Sequence, residues 1–215
     1  MKTILLKDAA ALIPDGASVM IGGFMGVGTP ERLMDELVRQ GKRNLTVIAN
    51  DNALPGIGIG KLISAGAVKK TIASHIGLNP ETQKKMLAGE LEVDLVPQGT
   101  LIERIRAGGF GLGGVLTPTG VGTVVEKGKQ RIEVEGKPYL LETALRADFA
   151  LVQAFLADYL GNLQYALTAR NFNPVIAMAA GTVIVEAENI VPVGVISPDQ
   201  VVTPAPVVDY IISHA

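Results

Sequence analysis

The chain has 215 residues and a net charge of −2; its composition is 48% hydrophobic, 19% charged and 4% aromatic, with no Cys and no Trp. That length and composition suit one α/β domain, residues 1–215, with a large core of Val, Ile, Leu, Ala and Met. The near-neutral charge without a basic run argues against nucleic acid as the main partner, the longest apolar runs fall short of the roughly 18 residues a membrane span needs, and the lack of Cys removes disulfides, thiolate nucleophiles and Cys-based metal sites.

The N-terminal stretch "MKTILLKDAAALIPDG" carries Asp8 and no small-residue cleavage pattern, so it reads as a mature cytoplasmic start. Within it, "LKDAAALIPDG" predicts a short helix stopped by Pro14-Asp15-Gly16. "SVMIGG" predicts a buried strand. Thr29 is the expected N-cap of the next helix, with Pro30 at its first position and Leu33, Met34, Leu37 and Val38 on its apolar side. Gly41 ends that helix, and "NLTVIAN" is the next strand. Such a strand–helix–strand unit implies parallel pairing through a crossover.

The pattern recurs. "AVKKTIASHIG" reads as a strand, Asn79-Pro80 opens a helix, "LEVDLVPQG" is a strand ended by Pro97, and "TLIERIRAGG" is a helix closed by Gly108-Gly109. A Gly- and Pro-rich, β-rich excursion then runs from about Gly108 to Glu142, with a hairpin at Glu135-Gly136. "ADFALVQAFLAD" is another strand, "RNFNPVIAMAAG" a helix and "TVIVEAENIV" a late strand. The expected fold class is α/β: an open, mostly parallel sheet flanked by helices, plus the small β-rich excursion.

"SVMIGGFMGVGTPERL" joins a strand to a helix through four glycines. Such a turn can gather N–H groups around an anion, or it can simply let two backbones approach. The dinucleotide pattern G-x-G-x-x-G fails, because Glu31 stands where a glycine is needed and would repel a pyrophosphate. The Gly-Lys-Ser/Thr phosphate loop fails because no Lys lies between Lys7 and Lys42. The glycines alone leave both uses open.

The ordered string Asp15-Gly16, Val19-Met20-Ile21, Gly22-Gly23-Phe24, Gly28, Thr29, Pro30 resembles the alpha subunit of the two-subunit (family I) CoA-transferases. "VIANDNALPGIGIGKLI", "VPQGTLIERIRAGG", "LTPTGVGTVVEKGK" and "TARNFNPVIAMAA" resemble further family segments in family order. "FMGVGTP" and "SHIGLNPET" together are most similar to the bacterial acetate/acetoacetate (short-chain 3-oxoacid) branch; the 3-oxoadipate and succinyl-CoA branches are the nearest alternatives.

The resemblance implies ping-pong transfer of CoA between a short-chain acyl-CoA and a free carboxylate, through a glutamyl-CoA intermediate. It places the nucleophilic glutamate in a Glu-Asn-Gly string of a beta subunit. Here the only Glu-Asn pair is Glu188-Asn189, followed by Ile190 inside a strand. No catalytic nucleophile is therefore expected in this chain, and an α2β2 assembly with a beta subunit is. Phe24, Met25, Gly26, Val27, Gly28, Thr29 and Pro30 are expected to contact CoA, with N–H groups near Val27 and Gly28 supporting the oxyanion. CoA and acyl-CoA enter as substrates; no permanently bound cofactor and no metal are expected.

Asn50 and Asp51 follow a strand, where ligands of open α/β sheets bind. The resemblance makes Asn50 line the acyl site, against an Asx turn closing the strand. It likewise places Gln98 near the acyl or carboxylate group, against a capping role. His75 also ends a strand and is expected to be a satisfied structural histidine rather than a pocket residue. Arg170-Asn171-Phe172-Asn173 are expected to hold the Gly-rich region through hydrogen bonds, with Arg170 structural. A non-catalytic CoA-binding regulatory protein is the rival reading from another class; a dinucleotide oxidoreductase is weakened by the failed fingerprint.

Overall fold

The computed structural model describes residues 2–213, so His214 lies outside the described residues. The chain opens with β1 (Lys2–Ile4) and α1 (Leu6–Ala11). Six residues without a side-chain cap cannot hold a helix in water. Ala9, Ala10 and Ile13 sink into the core and hold it by burial instead.

β2 (Ser18–Ile21) alternates as a strand covered on both faces must. Val19 and Ile21 join the core packed by α1, α2 (Glu31–Arg39) and α3 (Ile59–Ser64). Met20 joins the opposite core, packed by α5 (Gln98–Gly109) and α6 (Asn173–Ile176). On α2, Leu33, Met34 and Leu37 are fully buried, each contributing about 1.5–3 kcal/mol. β3 (Leu45–Asp51), β4 (Val68–His75) and β5 (Glu92–Leu95) follow, with α4 (Pro80–Leu87) between the last two. Asn79 caps α4, its side chain accepting the Thr82 N–H at 3.0 Å and donating to the Asn52 carbonyl at 3.1 Å. Asn79→Ala will lower stability by about 1–2 kcal/mol, read as a shift of the urea midpoint.

The expected excursion is a separate antiparallel sheet of β6 (Gly114–Thr117), β7 (Arg131–Val134) and β8 (Lys137–Thr143), in the order β6-β8-β7. Its hairpin turns at Glu135-Gly136, with φ of 51° and 73°, the two positive values a tight twist-matched turn requires. The main sheet then resumes with β9 (Ala147–Asp158), β10 (Leu163–Gln164), β11 (Ala180–Val191) and β12 (Tyr210–Ile212).

Its order is β1-β12-β11-β9-β2-β3-β4-β5, parallel throughout, with β10 pairing antiparallel to the end of β9. From β2 the chain builds outward through β3, β4 and β5; β9, β11 and β12 build the other side. The reversal falls between β2 and β9, and open sheets of this kind bind ligands beyond the carboxyl ends of the strands at that point. The glycine turn leaves the sheet there. No helix among the described residues is long and apolar enough to cross a membrane.

Two expectations need correction. "RNFNPVIAMAAG" is only the four-residue α6, preceded by a 3-10 turn at Leu167–Arg170. Thr29 does not cap α2; Pro30 occupies the cap position, and the Thr29 hydroxyl donates to the Gly22 carbonyl at 3.0 Å, closing the glycine turn on itself. β1, α3 and β12 leave too short a pattern for periodicity to reveal.

Candidate active site

Phe24 and Val27 exchange both backbone hydrogen bonds at 3.0 Å, so the glycine turn is a two-residue hairpin. Its tip, Met25-Gly26, has φ of 52° and 86°. Gly28 lies flat on the backbone of Ala169, where a Cβ would come within 2.6 Å of the Ala169 Cα. At Gly22 a Cβ would fall 1.8 Å from Asn173 Oδ1. Close backbone approach is thus one thing these glycines provide.

Asn173 is the clamp that uses this closeness. Fully buried, it donates from Nδ2 to the carbonyls of Gly28 (2.8 Å) and Ala169 (2.9 Å) and accepts the Gln153 N–H at 3.0 Å. The Val27 N–H is consumed by the hairpin's own bond, so it is not free to support an oxyanion. The Gly28 N–H has no acceptor among the described residues.

The start of α2 is also occupied. The Glu186 carboxylate, reaching over from β11, accepts the N–H groups of Arg32 (3.2 Å) and Leu33 (2.9 Å). Burial pushes this carboxyl above its ordinary range, against the pull of those two N–H groups and of Arg32. Glu31 turns aside to the Gly58 N–H (2.8 Å) and Lys61 (2.7 Å). A pyrophosphate finds the helix end already filled by the chain's own anion.

Beyond the strand ends lies a groove of about 440 Å3, lined by Phe24, Asn50, Ser74, His75, Gln98 and Asn171. It gathers residues from the hairpin, from the ends of β3 and β4, from the start of α5 and from the turn before α6. Asn50 is buried rather than turned outward in a surface Asx turn. Its Oδ1 accepts from the Ser74 hydroxyl at 2.7 Å, and its Nδ2 donates to Asn171 Oδ1 at 3.0 Å. Gln98 is exposed at the first turn of α5, makes no capping bond, and has no side-chain partner among the described residues. His75, expected to be structural, lines the groove instead, because the end of β4 opens onto it; its ring lies over Gly77, where a Cβ would meet Cε1 at 2.7 Å.

Of the hairpin residues only Phe24 lines the groove; Thr29 and Pro30 are buried, and the Met25 and Val27 side chains face solvent. Arg170 stays outside the groove and donates to the Tyr165 carbonyl at 3.2 Å. Glu188 sits within β11, away from any turn, and accepts from Gln153 Nε2 at 2.7 Å. Sequence reading missed Ser74 and Asn171 as lining residues, and Glu186 as the helix cap. The only available signal was the placement of Ser74 at a strand end and of Asn171 beside Asn173. Among the described residues, no Asp, Glu, Lys or Arg lines the groove.

A parallel α/β sheet with an amide-lined groove at its strand ends defines a small-molecule-binding α/β protein. The Coenzyme A transferase family model matches residues 3–214, and the chain belongs to that family. It is 58% identical over 211 residues to the acetate CoA-transferase subunit alpha of Escherichia coli (strain K12), covering 98% of this chain and 96% of that one. It is 53% identical over 213 residues to the acetoacetyl-CoA:acetate/butyrate CoA transferase alpha subunit of Clostridium acetobutylicum, covering 99% and 98%. The fold matches the crystal structure of an E. coli O157:H7 acyl-CoA transferase in a thioester complex with CoA, with a TM-score of 0.85 at 23% identity. The match covers 98% of this chain and 46% of that chain, so this chain spans just under half of that structure's length.

Proposed function

We propose that this chain is the alpha subunit of a two-subunit CoA-transferase. It moves CoA between a short-chain acyl-CoA and a free carboxylate of the acetate, acetoacetate or butyrate type. The observation that carries the reading is the groove: it is lined by the side-chain amides of Asn50, Gln98 and Asn171 and, among the described residues, by no carboxylate. A glutamate of the beta subunit supplies the nucleophile, in an α2β2 assembly in the cytoplasm. CoA is a substrate and nothing is permanently bound. The whole chain, 1–215, acts as a single alpha-subunit domain.

The glutamate oxygen attacks the acyl carbonyl and expels the CoA thiolate, leaving a mixed anhydride. The thiolate then attacks the glutamyl carbonyl, releasing the donor acid and leaving a glutamyl-CoA thioester. The acceptor acid runs both steps backward. Phe24 to Gly28 cover the pantetheine end of CoA, Thr29 and Pro30 being buried and so removed from the expected contact set, and the Gly28 N–H stabilises the developing oxyanion. Gln98 and Asn50 meet the acyl or carboxylate group. A neutral amide holds a carboxylate by hydrogen bonds without the salt bridge that would also quench a nearby nucleophilic glutamate.

Among the described residues the groove lacks the arginine or lysine that a second carboxylate would call for, which favours monocarboxylates. With the beta subunit co-expressed, transfer to acetate, butyrate or acetoacetate will exceed transfer to succinate or 3-oxoadipate. Preference for either dicarboxylate reverses the substrate assignment, and binding of CoA with no transfer to any acid makes the chain a binding protein instead. Gln98→Ala will raise KM for the acid about tenfold, the scale of one lost hydrogen bond to a charged group.

A further inference from the structure

Asp51 takes no part in the chemistry above, yet it is among the least exposed charges in the protein, at 2%. It ends β3, next in the chain to the groove-lining Asn50. Its Oδ1 and Oδ2 accept the Met25 N–H at 3.2 and 3.1 Å, and Oδ2 also accepts the Ala53 N–H at 3.3 Å. Both donors are non-glycine residues in the left-handed region, with φ of 52° and 51°. Such conformations persist only where surrounding contacts hold them. No Lys or Arg pairs with this carboxylate among the described residues; His75 stands opposite it in the β3–β4 register. Burial pushes the carboxyl above the ordinary Asp range, against the pull of the Met25 and Ala53 N–H groups and of His75.

The two segments that share this carboxylate also touch each other. A Cβ on Gly26 would meet Ile57 Cγ2 at 2.4 Å, and one on Gly58 would meet the Gly26 Cα at 3.3 Å. The hairpin tip therefore rests on the loop that follows Ala53. An apolar residue at 51 would satisfy neither N–H, and burying a charge there is costly without them.

We propose that Asp51 is a positioning residue: one buried carboxylate locks the Phe24–Val27 hairpin to the Ala53–Gly58 loop, so that the hairpin meets acyl-CoA already shaped. This rests on the reading above that the hairpin contacts CoA. A preformed contact surface binds without the entropy loss of ordering a loop, so the effect falls on acyl-CoA affinity rather than on the chemical step. Asp51→Asn keeps the shape but turns one oxygen into an N–H₂ facing backbone donors.

Hydrogen exchange on the full chain tests the lock without any variant. The Met25 and Ala53 amides will exchange slowly, although the Met25 side chain is 39% exposed, while the unpartnered Gly26 and Gly28 amides will exchange fast. In Asp51→Asn the Met25 amide will exchange roughly tenfold faster or more, the scale of a lost charge-assisted hydrogen bond. In the complex with the beta subunit, the same variant will raise KM for acyl-CoA by about tenfold and leave kcat within roughly threefold. Fast exchange at Met25 in the unmutated chain overturns the lock. An unmoved acyl-CoA KM, or a kcat that falls as far as KM rises, overturns the positioning role. An unmutated complex that transfers no CoA would instead sink the functional reading while leaving the exchange result standing.

Discussion

Purified without its partner, this chain will show no CoA transfer, and adding the beta subunit will raise the rate on the order of 10⁴-fold or more, the scale of restoring a missing covalent nucleophile. The reason lies in where its own carboxylates are committed. Asp51 is buried and accepts the Met25 and Ala53 N–H groups. Glu31 is tied to Gly58 and Lys61, and Glu186 caps α2. Glu188 is bonded to Gln153 within β11. None of the four lines the groove. Borohydride or hydroxylamine trapping during turnover with acyl-CoA will therefore mark a glutamate of the partner. A covalent adduct on any Asp or Glu of this chain would overturn the division of labour. Loss of transfer only when a beta-subunit glutamate is replaced would support it.

Asn173→Ala will be the most damaging single truncation near the site. It strands the carbonyls of Gly28 and Ala169 and the Gln153 N–H at once. Each buried polar group left unpaired costs about 1–3 kcal/mol, and local relaxation recovers part of that. A net loss of about 3 kcal/mol is expected, lowering Tm by roughly 6–12 °C for a domain of this size. Asn173→Asp will be comparably harmful: it keeps the acceptor for Gln153 but turns an oxygen toward two carbonyls. Asn173→Gln cannot rescue, because Gly22 already lies against the amide and leaves no room for another methylene. A Tm shift under about 2 °C for Asn173→Ala would show that the clamp is not what holds the hairpin.

Transplanting a side chain onto Gly28 is a poor probe of catalysis for a related reason. The obstacle is the Ala169 backbone rather than a movable side-chain end, so any replacement there disturbs the fold before it touches the chemistry. Gln98, exposed and unpartnered, separates the two effects and is the better position for a functional variant.

Much of this protein was legible in one dimension. Apolar runs bounded by Gly and Pro placed β2 to β5 and β9, Asn79-Pro80 marked the start of α4, and Glu135-Gly136 marked the hairpin. These features depend on near neighbours, which a sequence displays directly. The resemblance in the glycine string brought out Phe24, Asn50 and Gln98, and the structure sets all three around one groove. Only the folded chain decided how that groove is held. Glu186 caps α2 from β11, Asp51 bonds Met25, and Asn171 meets Asn50. The run Arg170–Asn173 reads in sequence as a hold on the glycine turn, and the fold makes Asn173 the member that grips Gly28. Thr29, suited by type to cap α2, closes the glycine turn instead because Glu186 already fills the helix end. A hydrogen bond between residues far apart in the chain leaves no periodic trace. Which of two suitable partners a buried polar atom takes depends on which one the packed core brings within about 3 Å.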